Sequence, residues 1–352
     1  ILYGVQGTGN GHLTRARVMA NALAKAGISV DYLISGRPRE QLFATEQFGD
    51  FRTFPGLTFH HHQGRIDLWR TLRYADLPQL WRDVRRLSLR QYDLVISDFE
   101  PVTAWAAHRQ QVPSLALSHQ ASFAQAAVPK AGFDPAARLL MKFFAPAQQA
   151  VGLHWAPFAP RLLPPVIDVG LQPAPLQQQL IVVYLPFEDA TAIASLLAPH
   201  AGWQFACYHP QALQMCSTDS LQWHLPQREQ FERDLSCCTG VIANSGFELP
   251  SEALHLGKKL LVKPLAGQFE QQSNALALHQ LGLAQSMANL DVAAVAHFLR
   301  QPAVAPRPWP DVAAALAGWL AAGERRSSLA ALASGLWQQP AVNNGFLVQD
   351  PA

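Results

Sequence analysis

The chain has 352 residues, of which 49% are hydrophobic and 15% are charged, and its formal net charge is +2. Because this length exceeds what one hydrophobic core usually reaches, it predicts two domains. Residues 1–170 carry 18 Lys and Arg against 12 Asp and Glu, whereas the remainder carries 9 against 13. Nucleic-acid binding is not expected, since it would require clustered basic residues and a much higher pI. The uneven charge suits a cleft that binds phosphates.

The four cysteines, Cys207, Cys216, Cys237 and Cys238, form no CxxC pair and have no histidine at zinc-ligand spacing. They predict neither a metal site nor a disulfide framework, and they favour a reducing, cytoplasmic location. No apolar run approaches the roughly 20 residues that a membrane span needs.

Short apolar runs alternate with helix-length amphipathic segments along the chain. The predicted strands are ILYGV, ISVDYLIS, YDLVISD and PSLALS in the front part and QLIVVYLP, GWQFACY, TGVIANS and KLLVKPL in the back part. Strands that are buried on both faces and joined by helices give this alternation, so we predict an α/β fold with parallel sheets.

The alternation is interrupted once, at VGLQPAPLQQQL, where two prolines and three successive glutamines are typical of a linker. We therefore predict one α/β domain over residues 1–170, a linker over 171–179, a second α/β domain over 180–310, and a helical segment with an irregular tail over 311–352. Two such domains facing one another enclose a cleft between the carboxyl ends of their sheets, where folds of this class bind ligands.

The loop QGTGNGH follows the first predicted strand and carries Gly7, Gly9 and Gly11 at alternate positions. A helix is predicted to begin after it, near Leu13 or Thr14. Glycine lets the backbone approach a ligand closely, and the free N–H groups of a helix start favour an anion. The loop therefore predicts a phosphate-binding wall of the cleft. The alternative is a tight turn that needs glycine for steric reasons.

His12 follows the last glycine and is predicted to face the cleft from the helix start. Beside a positive helix end a histidine can act as a general base, and the alternative is a hydrogen-bonding cap residue. The glycine spacing differs from the G-x-G-x-x-G of dinucleotide folds, and the second strand ends at Arg37 without an acidic residue for a ribose. An NADP enzyme, with Arg37 on the 2′-phosphate, stays open as an alternative.

The third predicted strand ends in Asp98 and Glu100, and the fourth ends in His119 and Gln120. If strand geometry persists, the two carboxylates point to the same side. We expect Asp98 to serve acceptor binding or general-base help, and Glu100, His119 and Gln120 to line the acceptor side. For both carboxylates the alternative is capping of the helix that begins near Val102.

Residues 65–90 form a basic segment with seven arginines and an apolar stripe at helical spacing. The stripe consists of Trp69, Leu72, Leu80, Trp81, Val84 and Leu87. This pattern is typical of a helix packed on its sheet with a solvated basic face. The alternative is an interfacial surface that receives a lipid-linked acceptor at the inner face of the cell membrane.

Residues 240–282 are the most informative stretch. A strand runs into Ser245 and Gly246, and a helix is predicted to carry Pro250 in its first turn. Glu252 is predicted to lie in the same turn. There it either complements the helix dipole or accepts two hydrogen bonds from the hydroxyls of a ribose.

A second helix start in this stretch is crowded by uncharged amides, which are Gln268, Gln271, Gln272 and Asn274. Amides donate to and accept from sugar hydroxyls, and four of them exceed what capping requires. A ribose clamp beside one helix start and amides beside the next predict a nucleotide-sugar pocket.

This stretch resembles the donor-binding block of the two-domain glycosyltransferases of the GT-B fold. It is similar to that of the N-acetylglucosaminyltransferases that complete the lipid-linked peptidoglycan precursor, with the same order of S-G, S-E, small-residue-Gly and Q-Q-x-x-N-A. The whole chain resembles a group of bacterial and archaeal glycosyltransferases in GTGNGHLTRA, YDLVISDFEP, SHQASF, ANSGFELPSEALHLGK and PLAGQFEQQSNA. The resemblance implies two Rossmann-like domains whose parallel sheets face a central cleft.

The resemblance also implies roles for individual residues. Ser245 and Gly246 would lie against the donor diphosphate, and Glu252 would hold the ribose. Base recognition is implied near QREQFERDL, at Gln230 and Phe231. The transferred sugar would be met by Gln271 and Gln272.

These features together predict an inverting transfer of a hexosyl group from a nucleotide sugar, a UDP-sugar above all, to a glycan or lipid-linked acceptor. His12 is the predicted base with Asp98 in reserve, and helix-start N–H groups are predicted to stabilise the leaving diphosphate without a metal or other cofactor. The alternatives are a nucleotide-sugar 2-epimerase of the same double fold, an NADP-dependent oxidoreductase, and a catalytically idle nucleotide-binding regulator.

Overall fold

The computed structural model describes residues 1–57, 61–62, 65–66, 76–132, 141, 143–323 and 329–339. The strands of the front part are β1 (Leu2–Gln6), β2 (Asp31–Ser35), β3 (Arg52–Phe54), β4 (His61–His62), β5 (Arg65–Ile66), β6 (Val95–Asp98), β7 (Ser114–Ser118), β8 (Gln149–Leu153) and β9 (Leu162–Leu163). Seven of them form a parallel sheet in the order β3-β2-β1-β6-β7-β8-β9, while β4 and β5 form a separate antiparallel pair.

The centre of this sheet is apolar on both faces. All five residues of β1 are buried, and Tyr3 lies opposite Tyr32 of β2 on one side and Ile96 of β6 on the other. The helices are α1 (Asn10–Lys25), α2 (Leu77–Arg86) and α3 (Pro101–Gln110). Trp69 and Leu72 of the predicted stripe lie outside the described residues.

The back part forms a second parallel sheet, of six strands. They are β10 (Leu180–Tyr184), β11 (Gln204–Tyr208), β12 (Leu221–His224), β13 (Gly240–Asn244), β14 (Lys259–Lys263) and β15 (Gln285–Ser286), in the order β12-β11-β10-β13-β14-β15. The helices are α4 (Ala190–Leu197), α5 (Arg228–Cys237), α6 (Glu248–His255), α7 (Phe269–Gln280) and α8 (Val292–Arg300). Two parallel α/β sheets, predicted from the alternation, are confirmed.

Two helices begin earlier than predicted. Helix α1 begins at Asn10, because Gly9 is extended and occupies the N-cap position, so Gly11 and His12 lie in the first turn. Helix α6 begins at Glu248, so Pro250 lies in its first turn as predicted, but Glu248 lies there too and Glu252 falls in the second turn. The acidic residue nearest the start of α6 is therefore not the one predicted.

The last helices, α9 (Val312–Ala321) and α10 (Leu329–Trp337), return to the front part. Helix α9 packs on α1, and the indole N–H of Trp337 donates to the Leu162 carbonyl at 2.7 Å. One continuous hydrophobic core contains side chains from both sheets and from α9 and α10. Among the described residues, none of the helices combines the length and the apolar character that crossing a membrane requires.

Candidate active site

The carboxyl ends of the two sheets face each other, and polar side chains bridge them. Asn10, after β1, donates to the Tyr184 hydroxyl at the end of β10 at 3.2 Å. Gln120, after β7, donates to Glu270 of α7 at 3.0 Å. In this arrangement the domains are closed on one another, and the starts of α1, α6 and α7 meet at their interface.

The centre of this interface holds His12 and Asp98. His12 Nδ1 lies 2.7 Å from Asp98 Oδ1, and His12 keeps 15% of its side chain exposed while Asp98 is fully buried. A carboxylate only accepts hydrogen bonds, so the contact with Asp98 favours the tautomer with the ring proton on Nδ1 and the lone pair on Nε2, and Arg15 Nη2, which lies 2.9 Å from the same Nδ1, donates to Asp98 Oδ1 instead. The Gln120 amide nitrogen lies 3.5 Å from Nε2. This arrangement can take a proton from a substrate hydroxyl.

Asp98 is also held by Arg15, whose Nε and Nη2 lie 2.8 and 2.5 Å from its two oxygens. Burial acts to raise the pKa of Asp98, but the charges of Arg15 and His12 outweigh it, so that the pKa lies below its ordinary value. Asp98 is therefore an anion at neutral pH and can stabilise a protonated His12.

Arg15 reaches the second domain through Nη1, which forms a short hydrogen bond with Glu248 at the start of α6. Burial acts to lower the pKa of Arg15, but Asp98 and Glu248 outweigh it and raise the pKa further above its ordinary value. Burial also raises the pKa of Glu248, against the opposing charge of Arg15. Arg15 makes two bonds to Asp98 and one to Glu248, so Asp98 is the stronger partner.

The three loop glycines have different surroundings. A Cβ at Gly7 would lie 2.7 Å from Ile34 Cγ2 and 2.9 Å from the Ser35 carbonyl, so Gly7 is required by strand packing. Gly9 is the N-cap of α1, which has no capping side chain, and its first-turn N–H groups are available to an anion. Gly11 lies against the Glu248 side chain, across the interface.

Arg37 is used to order the same loop. Its Nη2 donates to Asn10 Oδ1 at 2.9 Å, and its Nε forms a short bond with the Gly7 carbonyl. These contacts give Arg37 a structural role, which weakens its assignment to a cofactor 2′-phosphate.

Glu100 does not share the direction of Asp98. Phe99, between them, has a left-handed φ of 52°, so the strand geometry does not persist. Glu100 is fully buried, and its oxygens accept from the backbone N–H groups of Val102 and Thr103 at 2.8 and 2.7 Å. The structure corrects the acceptor-side prediction for Glu100 and favours the capping alternative.

His119 lies inside the interface and not on an open acceptor wall. Its Nε2 lies 2.6 Å from Asn274 Oδ1 of the second domain, and its ring stacks on Phe247 with centroids 4.0 Å apart. Burial lowers the pKa of His119, which favours the neutral ring. The Trp155 indole N–H donates to Ser251 of α6 at 2.8 Å beside it. His119 therefore joins the two domains.

The predicted diphosphate and amide residues surround the starts of α6 and α7. Ser245 is buried and donates to the Gln271 carbonyl at 2.8 Å, whereas a side chain at Gly246 would meet nothing within 4 Å. Asn274 donates to the Ser245 carbonyl at 3.0 Å, and the Gln271 amide oxygen accepts from Leu265 N–H at 3.0 Å. Asn274 and the Gln271 oxygen therefore shape the loops.

Two of the amides can still form hydrogen bonds to a ligand. Gln268 is the N-cap residue of α7, and its amide oxygen is buried without a hydrogen-bond partner in the described part of the chain. Gln272 lies on the first turn of α7 and is half-buried. Both lie where a ligand at the start of α7 would meet them.

Glu252 and Phe231 lie further along the interface. Burial and the nearby Glu232 raise the pKa of Glu252 to about 7, against the charges of Arg17 and Arg228. The Phe231 ring is half-buried, with its centroid 4.9 Å from that of Tyr208. Gln230, its neighbour on α5, lies 3.1 Å from His224 Nδ1.

Sequence reasoning missed Arg15, Glu248 and Glu270. Arg15 is three residues after His12 on the same helix face, a spacing that places the two side chains together and that offered a signal. Glu248 was hidden by the misplaced start of α6. Across the described residues, no group of three or more His, Cys, Asp or Glu side chains is placed to hold a metal ion.

Comparisons with known proteins identify the family. The model of the family described as glycosyl transferase family 1 matches residues 1–302. A comparison with curated protein sequences finds no match.

Solved structures agree with this over nearly the whole chain. The chain is similar to the structure of LpCGTa in complex with UDP, at 16% identity and a TM-score of 0.57, covering 98% of this chain and 97% of that one. It is similar to the spinosyn rhamnosyltransferase SpnG complexed with spinosyn aglycone, at 15% identity and a TM-score of 0.56, covering 95% and 96%.

It is also similar to MurG of Acinetobacter baumannii, at 16% identity and a TM-score of 0.51, covering 95% and 94%. At these identities the three likenesses establish the fold. The chain belongs to glycosyl transferase family 1 and is a glycosyltransferase of the GT-B fold.

Proposed function

We propose that the protein transfers a hexosyl group from a nucleotide sugar, a UDP-sugar above all, to an acceptor hydroxyl with inversion at the anomeric carbon. The observation that carries this proposal is the contact of 2.7 Å between His12 Nδ1 and Asp98 at the interdomain interface. It leaves a partly exposed imidazole with Nε2 as a base. Glycosyl transfer by direct displacement needs such a base, since the acceptor hydroxyl must lose its proton as it attacks.

In the proposed step, His12 Nε2 takes the proton of the acceptor hydroxyl while that oxygen attacks the anomeric carbon. The bond from this carbon to the nucleoside diphosphate breaks on the opposite face, and the diphosphate leaves with the bonding electrons. Asp98 stabilises the imidazolium that forms, as buried carboxylates do in histidine-based sites. No metal or other cofactor is part of the proposal.

The donor is proposed to bind at the starts of α6 and α7, with Ser245 and Gly246 against the diphosphate. Free N–H groups at helix starts stabilise negative charge on the leaving group. Glu252 is proposed to hold the ribose, Phe231 to contact the base, and the amides of Gln268 and Gln272 to contact the sugar. The UDP held by LpCGTa supports this class of donor by analogy.

The acceptor is proposed to enter from the first domain, past Gln120. Leu77 and Trp81 of α2 are exposed over 52 and 42% of their surface, and the last turn of the same helix is basic. Exposed apolar side chains beside arginines suit a peripheral contact with an anionic membrane and a lipid-linked acceptor. A location at the inner face of the cell membrane follows as part of the proposal.

The experiment is an incubation of the protein with a panel of nucleotide sugars, with and without glycan and lipid-linked acceptors, analysed by mass spectrometry. We expect a UDP-sugar to raise the melting temperature and to lose its sugar slowly to water, and faster to a true acceptor. His12→Ala should lower turnover by at least about 100-fold and leave UDP affinity nearly unchanged. Isomerised donor without acceptor would instead identify an epimerase, and stabilisation by NADP alone would contradict the proposal.

A further inference from the structure

The interface contains a carboxylate, Glu248, that the proposed reaction has not used. It lies in the first turn of α6 and reaches across to Arg15 of α1. Its side chain also lies against Gly11, where an added Cβ would come within 3.5 Å of Glu248 Cγ. The second domain therefore touches the first domain one residue before His12 and three residues after it.

Arg15 connects Glu248 to the proposed base, His12. Its guanidinium contacts Asp98 through Nε and Nη2, contacts Glu248 through Nη1, and lies 2.9 Å from His12 Nδ1 through Nη2. A guanidinium is a planar fork, so fixing one of its nitrogens also fixes the direction of the others. Removing Glu248 would leave Nη1 of a side chain that is only 2% exposed without this partner.

We propose that Glu248 is a positioning residue for transfer, which holds Arg15 against Asp98 and so fixes His12 only when the two domains are closed. The inference rests on the proposed function, in which His12 is the base. The position of His12 then depends on a residue of the second domain, which is proposed to bind the donor. His12 is therefore held in place for catalysis only when the domains have closed around the donor.

The second oxygen of Glu248 supports this reading. It is buried and accepts no hydrogen bond from the residues that the structure describes. A carboxylate retained only for stability would be expected to have both oxygens satisfied, because a buried acceptor without a partner costs about 1–3 kcal/mol. Glu248 is therefore better explained by a function at this interface than by stability.

The electrostatic effect of Glu248 on His12 has a definite sign. The charged and titratable groups around Arg15 and Glu248 are Tyr3, His12, Asp98, His119, Glu252 and Glu270. Burial raises the pKa of Glu248 to about 8, and above that pH its carboxylate partly neutralises Arg15, so that the negative charge of Asp98 acts more strongly on the imidazole. Without Glu248, Arg15 opposes a protonated His12 more strongly.

The test compares Glu248→Gln with Ser251→Ala, each in the wild-type and the His12→Ala background. Ser251 is the matched control, because it is buried on the same helix and joins the domains through Trp155 without touching Arg15. We expect Glu248→Gln to lower kcat about tenfold, with KM for the donor within about twofold. In the His12→Ala background it should change the residual turnover less than about twofold.

Ser251→Ala should lower turnover by the same factor in the wild-type and in the His12→Ala background. If Glu248→Gln also does so, its effect does not pass through His12 and the proposal is wrong. Glu248→Asp, which keeps the charge but withdraws it by one methylene, is measured beside it and should lower kcat less. It also serves as the test variant if Glu248→Gln does not fold.

A second readout needs no substrate. The ring signals of His12 are recorded by NMR at pH 9 in the ligand-free protein, where Glu248 is ionised although burial raises its pKa to about 8. Glu248→Gln should shift these signals, while Ser251→Ala should leave them in place, and signals that Glu248→Gln leaves unchanged would overturn the coupling. If the wild type transfers no sugar to any acceptor, the proposed function fails, and the NMR comparison still decides whether Glu248 acts on His12.

Discussion

Replacing Asp98 by Asn tests the proposed base most directly. The substitution preserves the size of a fully buried side chain but removes the charge that His12 and Arg15 contact. An amide cannot hold the imidazole in one tautomer or stabilise its protonated form. In enzymes with a histidine base, the corresponding loss lowers kcat by about 10⁴. Arg15 then lies 2.9 Å from His12 Nδ1 without the charge of Asp98 to offset it, so we expect a loss of at least about 10³, which corresponds to about 4 kcal/mol.

The assay measures kcat with saturating donor and acceptor, and UDP affinity by calorimetry. UDP affinity should change less than about threefold, because Asp98 contacts none of the proposed donor residues. Asp83→Asn is the matched control, since Asp83 is a buried aspartate of α2 that contacts Gln79 and lies outside the interface. If Asp98→Asn retains a tenth of the wild-type kcat while Asp83→Asn behaves normally, Asp98 does not orient the base and the proposed mechanism is wrong.

Three further predictions concern carboxylates. Glu252→Gln should weaken UDP binding in calorimetry about tenfold, as loss of one charged hydrogen-bond acceptor does; unchanged affinity would mean that the ribose lies elsewhere. The raised pKa of Glu252, about 7, means that its contribution to stability is complete below about pH 4.5 and is lost as the pH rises through 7. The unfolding free energy of the wild type, measured in urea, should therefore fall over this range relative to that of Glu252→Gln, and parallel curves would contradict the assignment. Glu100→Ala should lower the unfolding free energy by about 1–2 kcal/mol through loss of the α3 cap, with UDP affinity unchanged; a selective loss of acceptor use would restore its acceptor-side role.

The sequence was sufficient for the sheets because their signal is local. Each buried strand is a short apolar run such as LIVVY of β10, and the helices between the strands enforce parallel pairing. The proximity of His12 and Asp98 also followed from the fold, since both lie at the carboxyl ends of neighbouring strands. Alternation and topology together were enough to place the proposed base, His12, close to Asp98.

What the sequence did not predict depends on contacts across the interface or on single backbone angles. Arg15 and Glu248 are 233 positions apart, and no periodicity links them. The direction of Glu100 depends on the backbone of Phe99, which has the left-handed conformation that a phenylalanine rarely adopts. The Phe99 ring stacks on the ring of Phe144. Short-range patterns contain neither kind of information.

The return of α9 to α1 means that the polypeptide crosses between the domains twice, before β10 and again after α8. Topologically, the second α/β domain is inserted within the first, and it is connected to the first at both of its ends. Cutting the segment before β10 should therefore leave the halves associated through the second crossing and the shared core. A protein shortened at α9 would lose the packing that supports α1, and with it the helix that carries His12 and Arg15, although both residues lie near the opposite end of the chain.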